Sequence, residues 1–149
     1  MELSAIQNYL QIFPTLSTAG QPFRDQFPAV AAAGCQAMIN LALVDSPDAV
    51  PDEAELWAGL GLAYYHLPVE WESPRPENLQ AFYTLMDQLQ GQMVFVHCAR
   101  NMRVSSFVYL YRMQRLGQPP AECRLDLEKI WQPNEVWATF IQKALGYER

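Results

Sequence analysis

Cys98 and Arg103 are the two residues of this chain best suited to do chemistry together. They stand in Met93-Val94-Phe95-Val96-His97-Cys98-Ala99-Arg100-Asn101-Met102-Arg103-Val104-Ser105-Ser106-Phe107: an apolar segment, a polar turn, then a helix-forming run. That order places a thiol at a helix N-terminus. Backbone N–H groups and the helix dipole converge there and favour thiolate over thiol. A thiolate is a nucleophile. An arginine at a helix start is disfavoured by the dipole unless it meets an anion, and its planar fork matches two oxygens of a phosphate-like group. The stretch therefore reads as an anion site. Cys98 is its nucleophile, Arg103 its oxyanion clamp, Arg100 its exposed rim, and the amides from Ala99 through Asn101, Met102 and Val104 its backbone donors. His97 is expected to face away from the pocket, because neighbours on a strand alternate faces, and to hold the loop by hydrogen bonds.

The elements that must position this stretch follow from periodicity. Tyr9–Phe13 alternates weakly as a first strand, with a helix from Leu3 as its competitor. Residues 17–22 read as a loop. Pro22 suits a first helical position, leading a helix to Gly34 in which Pro28 is awkward unless it restarts the helix. Cys35–Val44, Leu62–Val69 and Met93–Val96 are apolar enough for buried strands. Helices are expected over Glu53–Leu60, Glu77–Leu89, Val104–Leu116, Ala121–Ile130 and Asn134–Leu145, the third of them apolar nearly all the way round and hence central. The alternation implies a three-layer α/β fold, one domain over 1–149, with a small, mainly parallel sheet of four to five strands flanked by helices. Ligands in such folds bind beyond the carboxyl ends of the strands. That rule brings Cys98 and Arg103 to the same sheet edge as Glu70 and Glu72 of the loop after the preceding strand. Trp57, Trp131, Trp137, Tyr64 and Tyr65 read as core.

Composition narrows the function classes. Half the residues are hydrophobic and 17% are charged, so the chain is globular. The net charge is -6 with no basic run, which excludes nucleic-acid binding through a general basic surface. Three cysteines, Cys35, Cys98 and Cys123, make no disulfide framework and fit a reducing cytoplasm. With only His66 and His97 and no paired cysteines, no metal site is expected. No apolar run approaches the ~18 residues that span a bilayer, so no membrane partner is expected.

From His97-Cys98 to Arg103 the sequence resembles the cysteine-dependent phosphatases of the protein tyrosine and dual-specificity superfamily. Their signature is His-Cys, five residues, then Arg and Ser or Thr. More closely, it resembles the phosphatase-like domain DUF442, found alone or fused to a β-lactamase-like hydrolase. The residues that carry this likeness are Leu16-Ser17-Thr18-Ala19-Gly20-Gln21-Pro22, Gly34 with Met38-Ile39-Asn40-Leu41, residues 61–69 (GLAYYHLPV), and Val96-His97-Cys98-Ala99 through Arg103-Val104-Ser105. The resemblance implies a (phosphotyrosine protein phosphatase II)-like fold and a phosphate monoester substrate, on a small molecule or a phosphoprotein. It also implies a phosphocysteine intermediate and no cofactor. It gives Ser105 or Ser106 the hydroxyl position, where Ser105 either assists departure of the thiolate or caps the helix. The related enzymes carry a general acid on the loop after the preceding strand. Here Trp71 holds that place between Glu70 and Glu72; Glu72 is the preferred acid, Glu70 a supporting residue and Asp45 an outside candidate.

Four residues, Ala99 to Met102, separate Cys98 from Arg103, one fewer than in the phosphatase signature, and none is glycine. Asn101 must therefore supply any left-handed turn. The shorter loop is similar to that of rhodanese-like sulfurtransferases, which leaves a persulfide carrier as one alternative. An inactive anion-binding module is another.

Overall fold

The computed structural model describes residues 2–146 as a five-stranded sheet covered on both faces by helices. The strands are β1 (Leu10–Phe13), β2 (Leu16–Ala19), β3 (Ala37–Asn40), β4 (Ala63–His66) and β5 (Val94–His97). Their spatial order is β1-β2-β5-β3-β4; β1 is antiparallel to β2, and the other pairs are parallel. The helices are α1 (Phe27–Ala32), α2 (Glu53–Gly59), α3 (Pro76–Gln88), α4 (Met102–Gln114), α5 (Pro120–Ile130) and α6 (Glu135–Ala144). The fold is the α/β class that the alternating pattern implies.

Side-chain alternation along the strands splits the core in two. Ala37, Ile39, Val94 and Val96 face a large cluster shared with α3 to α6, while Met38 and Phe95 face a smaller one with Phe27 and Trp57 of α1 and α2. The rings of Phe27 and Trp57 stack with centroids 3.9 Å apart. Helix α4 lies in the middle, with every residue from Arg103 to Arg112 buried, as its all-round apolar pattern requires. Arg112 is compensated by Asp126 at 2.5 Å and Gln118 at 2.7 Å, so this buried charge is paired. No helix among the described residues is long and apolar enough to cross a membrane.

Four expectations need correction. The first half of the loop read over residues 17–22 is strand β2, fully buried between β1 and β5. Its hydroxyls hid it: Thr18 Oγ1 donates to the Leu10 carbonyl at 2.7 Å, and Ser17 Oγ pairs with Tyr9 at 3.1 Å, so both polar groups are satisfied inside the sheet. The helix from Pro22 begins only as a 3-10 turn, Arg24–Gln26, and restarts as α1, with Pro28 in its first turn where its missing N–H costs nothing. The strand over Leu62–Val69 is the short edge strand β4, exposed at Ala63 and only half-buried after it. The strand over Cys35–Val44 stops at Asn40, whose Oδ1 accepts from the Ala42 amide at 2.8 Å and turns the chain. Of the residues read as core, Trp57 and Trp137 are fully buried, whereas Trp131, Tyr64 and Tyr65 pack at its margin.

Candidate active site

The central strand β5 delivers Cys98 to the carboxyl edge of the sheet, between β2 and β3. Asn101 then adopts the left-handed conformation, φ 66° and ψ 2°, and caps α4. This is the turn that a glycine-free loop requires of it. The first helical bond runs from the Ser105 amide to the Asn101 carbonyl at 2.8 Å. The amides of Met102, Arg103 and Val104 therefore belong to the first turn and have no intrahelical acceptor. The helix starts two residues earlier than its apolar pattern suggests, which puts Arg103 inside that turn.

The back of the loop is tied down. The Gln21 amide donates to the Ala99 carbonyl at 3.0 Å, Asn8 Nδ2 to the Arg100 carbonyl at 2.9 Å, and His97 Nδ1 to the Cys98 carbonyl at 3.1 Å. In a planar trans peptide the carbonyl and the following N–H point in opposite directions. Bonding the carbonyls of Cys98 and Ala99 on one side thus aims the amides of Ala99 and Arg100 at the other. Gly20 makes this contact possible: a Cβ there would stand 2.7 Å from the Ala99 oxygen. The Asn101 side chain also lies at the back, donating to the Asn8 carbonyl at 2.8 Å and Thr18 Oγ1 at 3.1 Å.

On the front, Cys98, Ala99, Arg100, Met102 and Arg103 line a cavity of about 340 Å³, closed by Leu43, Asp45, Ser46, Pro47 and Trp71. Arg103 is 5% exposed, and its guanidinium donates from Nη1 to the Val69 carbonyl at 2.9 Å and lies 5.9 Å from the centre of the Trp71 ring. Arg100 is exposed at the rim. Of the other residues expected to bind substrate, the Val104 side chain is fully buried in the core. Ser105 neither caps the helix nor lines this cavity. Its hydroxyl donates to the Met102 carbonyl at 3.0 Å, as does that of Ser106, and its side chain faces Thr18 and Arg112 instead.

The acidic loop is arranged differently from expectation. Trp71 turns toward Cys98, while Glu72 lines a separate, larger cleft between α3 and α6, and Glu70 is exposed away from both. The indole decides this. Trp71 packs against Trp131 and Trp137, with centroids 5.4 and 5.9 Å away, and its carbonyl accepts from Trp137 Nε1 at 2.8 Å. Burying one large aromatic ring outweighs placing a carboxylate inward, and its two neighbours turn out. That larger cleft, about 590 Å³, contains no cysteine or histidine.

Sequence reasoning missed Glu53. It is the first residue of α2 and 4% exposed. Its Oε2 receives His97 Nε2 at 2.5 Å and Trp57 Nε1 at 2.9 Å, and its Oε1 receives Gln21 Nε2 at 3.2 Å. His97 accordingly faces away from the cavity, between two acceptors. Burial pushes the Glu53 carboxyl up, but the bond and charge of His97, with the bonds from Trp57 and Gln21, outweigh it and hold the group below its ordinary range. The available clue was His97 itself, since a histidine next to a buried cysteine needs a partner. The other two thiols lie elsewhere: burial drives Cys35 up to about 11 and raises Cys123, and neither shares a cavity with Cys98.

No family model and no curated protein matches the chain. Among solved structures the fold is that of the cysteine-dependent phosphatases. The core catalytic domain of the PP-IP phosphatase SIW14 from S. cerevisiae aligns with a TM-score of 0.75 and 12% identity, over 92% of this chain and 85% of that one. P. aeruginosa TpbA, in complex with pTyr, aligns with a TM-score of 0.74 and 12% identity, over 93% and 86%. A DUF442 protein of Shewanella putrefaciens CN-32, named as a candidate phosphatase, is nearer. Its two crystal structures give TM-scores of 0.84 and 0.87 and identities of 32% and 33%, over 99% and 97% of this chain and 94% and 95% of that one. The chain belongs to the DUF442 family.

Proposed function

We propose that the protein is a cysteine-dependent phosphatase. The Cys98 thiolate attacks the phosphorus of a monoester bound in the 340 Å³ cavity. Arg103 and the amides of the loop and first helical turn hold the equatorial oxygens, where they meet the charge of the transition state. The phosphocysteine formed is then hydrolysed by water. The observation that carries this reading is the shared cavity of Cys98 and Arg103 at the start of α4, with the loop carbonyls bonded behind it. The fold of the phosphatase neighbours agrees with it.

The substrate is a phosphate-bearing small molecule or phosphoprotein, and the steps call for no cofactor. Three free thiols fit a cytoplasmic setting. The short Cys98–Arg103 loop favours one competing chemistry, sulfur transfer through a Cys98 persulfide. Phosphate release from p-nitrophenyl phosphate and thiocyanate formation from thiosulfate and cyanide, each with wild type and Cys98→Ser, separate the two. Phosphate release that requires Cys98 is the expected result. Release that survives Cys98→Ser would refute the phosphatase, and Cys98-dependent thiocyanate without phosphate release would put the sulfurtransferase in its place.

A further inference from the structure

We propose that Asp45, on the β3–α2 connection, is the general acid of this site. The inference rests on the phosphatase reading and departs from the usual placement of the acid after β4. Among the described residues Asp45 is the only carboxylate lining the cavity that holds Cys98 and Arg103. Strand order explains how it gets there. β3 is hydrogen-bonded directly to β5, whereas β4 lies one strand further out, roughly 4.8 Å more. The chain leaving β3 stays beside the Cys loop: the Leu41 amide donates to the His97 carbonyl at 2.9 Å. It is then fixed as a turn. His66 Nε2 bonds the Ala42 carbonyl at 2.5 Å, the Leu43 amide donates to Ser46 Oγ at 3.0 Å, and the Ser46 amide returns to the Leu43 carbonyl at 3.1 Å. Asp45 sits inside that turn, at the cavity mouth. The β4 loop cannot take the role in its present form, because Trp71 fills its inward position and is locked to Trp131 and Trp137.

A phosphate dianion bound beside a carboxyl favours its protonated form. As the Cys98 sulfur bonds to phosphorus and the ester P–O bond breaks, the Asp45 carboxyl gives its proton to the departing ester oxygen, which leaves as an alcohol. In the second step the Asp45 carboxylate takes a proton from the attacking water. The new P–O bond displaces the Cys98 thiolate and restores the carboxylic acid.

A leaving-group comparison tests this. General acid catalysis is worth roughly 10²–10⁴-fold and matters most for a poor leaving group. Asp45→Asn is expected to lower kcat/KM for phenyl phosphate by about 100-fold or more and to affect p-nitrophenyl phosphate far less, with an unchanged melting temperature because Asp45 is exposed. An equal loss on both esters, no loss on either, or the same leaving-group dependence appearing in Glu70→Gln or Glu72→Gln would overturn the assignment. If p-nitrophenyl phosphate hydrolysis persists in Cys98→Ser, the phosphatase reading falls and takes Asp45 with it. Cys98-dependent hydrolysis without a leaving-group effect of Asp45→Asn removes the acid alone.

Discussion

Glu53 Oε2 lies 2.5 Å from His97 Nε2, with both side chains buried. The other ring nitrogen of His97 bonds the Cys98 carbonyl. Both partners of the imidazole are acceptors, so the arrangement links α2 to the Cys loop through a buried, charge-assisted pair. Removing one member strands the other in the core, which costs about 3–5 kcal/mol. Glu53→Ala is therefore expected to destabilise the protein by that order, read in urea unfolding, with Glu53→Gln milder because its amide oxygen still accepts. A Glu53→Ala protein as stable as wild type would show that the pair contributes nothing.

The same pair sets an acid limit on the fold. The Glu53 carboxyl is held below its ordinary range in the folded state. The unfolded chain therefore binds more protons in acid, and the stabilisation is present above the unfolded value of about 4.3 and lost as pH falls through the folded one. Wild type is expected to lose stability from about that value downward, and Glu53→Gln to lose less over the same window. Parallel pH–stability curves for the two proteins would assign the acid sensitivity to other carboxyls.

Gly20 touches the back of the loop so closely that a methyl group has nowhere to go. The added Cβ of Gly20→Ala would lie 2.7 Å from the Ala99 oxygen, 2.8 Å from Gln7 Cγ and 3.1 Å from Arg100 Cα. Two of these are backbone atoms of the site. Overpacking of this kind costs about 1–3 kcal/mol, and here the strain falls on the carbonyls that aim the loop amides. The expected outcome is a lowered melting temperature together with weaker inhibition by inorganic phosphate. A shift in melting temperature with unchanged phosphate inhibition would mean that Gly20 supports the fold but not the loop.

Asn101 combines two demands, a left-handed backbone and two side-chain donors at the rear of the loop. A residue with a Cβ and no polar group pays roughly 1–2 kcal/mol for that conformation and loses both bonds. Asn101→Ala is expected to be clearly less stable than Asn101→Gly, which keeps the conformation and loses only the bonds. Equal thermal stability of the two variants would show that the backbone conformation is not the reason for asparagine here.

The spacing of Cys98 and Arg103 was legible because the cues are local: an apolar strand, a polar turn and a helix start follow one another within a dozen residues. The layers were legible for the same reason, since β3 and β5 are mostly apolar and the apolar residues of α4 fall on all its faces. What escaped depends on distant partners. Strand β2 looks polar until Leu10 and Tyr9 are placed beside Thr18 and Ser17. Glu53 looks like an ordinary acidic residue at a helix start until His97, 44 positions later, is folded against it. Glu70 and Glu72 looked well placed because the indoles that claim Trp71 come 60 and 66 positions further along the chain, at Trp131 and Trp137.

Arg103 offers the most direct test of the anion site. One guanidinium nitrogen is already bonded to the Val69 carbonyl and the group's central carbon lies over the Trp71 ring, so the remaining donors are held in place. Lysine keeps the charge but loses the fork and its tether. Arg103→Lys is expected to lower kcat/KM by roughly 10²–10³-fold, the usual cost of removing one preorganised oxyanion donor. Alkylation gives a readout that does not need turnover. Cys35, pushed up to about 11, and Cys123, raised by burial, lie outside the cavity, so iodoacetamide uptake that disappears in Cys98→Ser reports on Cys98. Inorganic phosphate is expected to protect Cys98 from iodoacetamide in wild type and much less in Arg103→Lys. Equal protection in both proteins would mean that the anion is held by the loop amides alone, without the arginine.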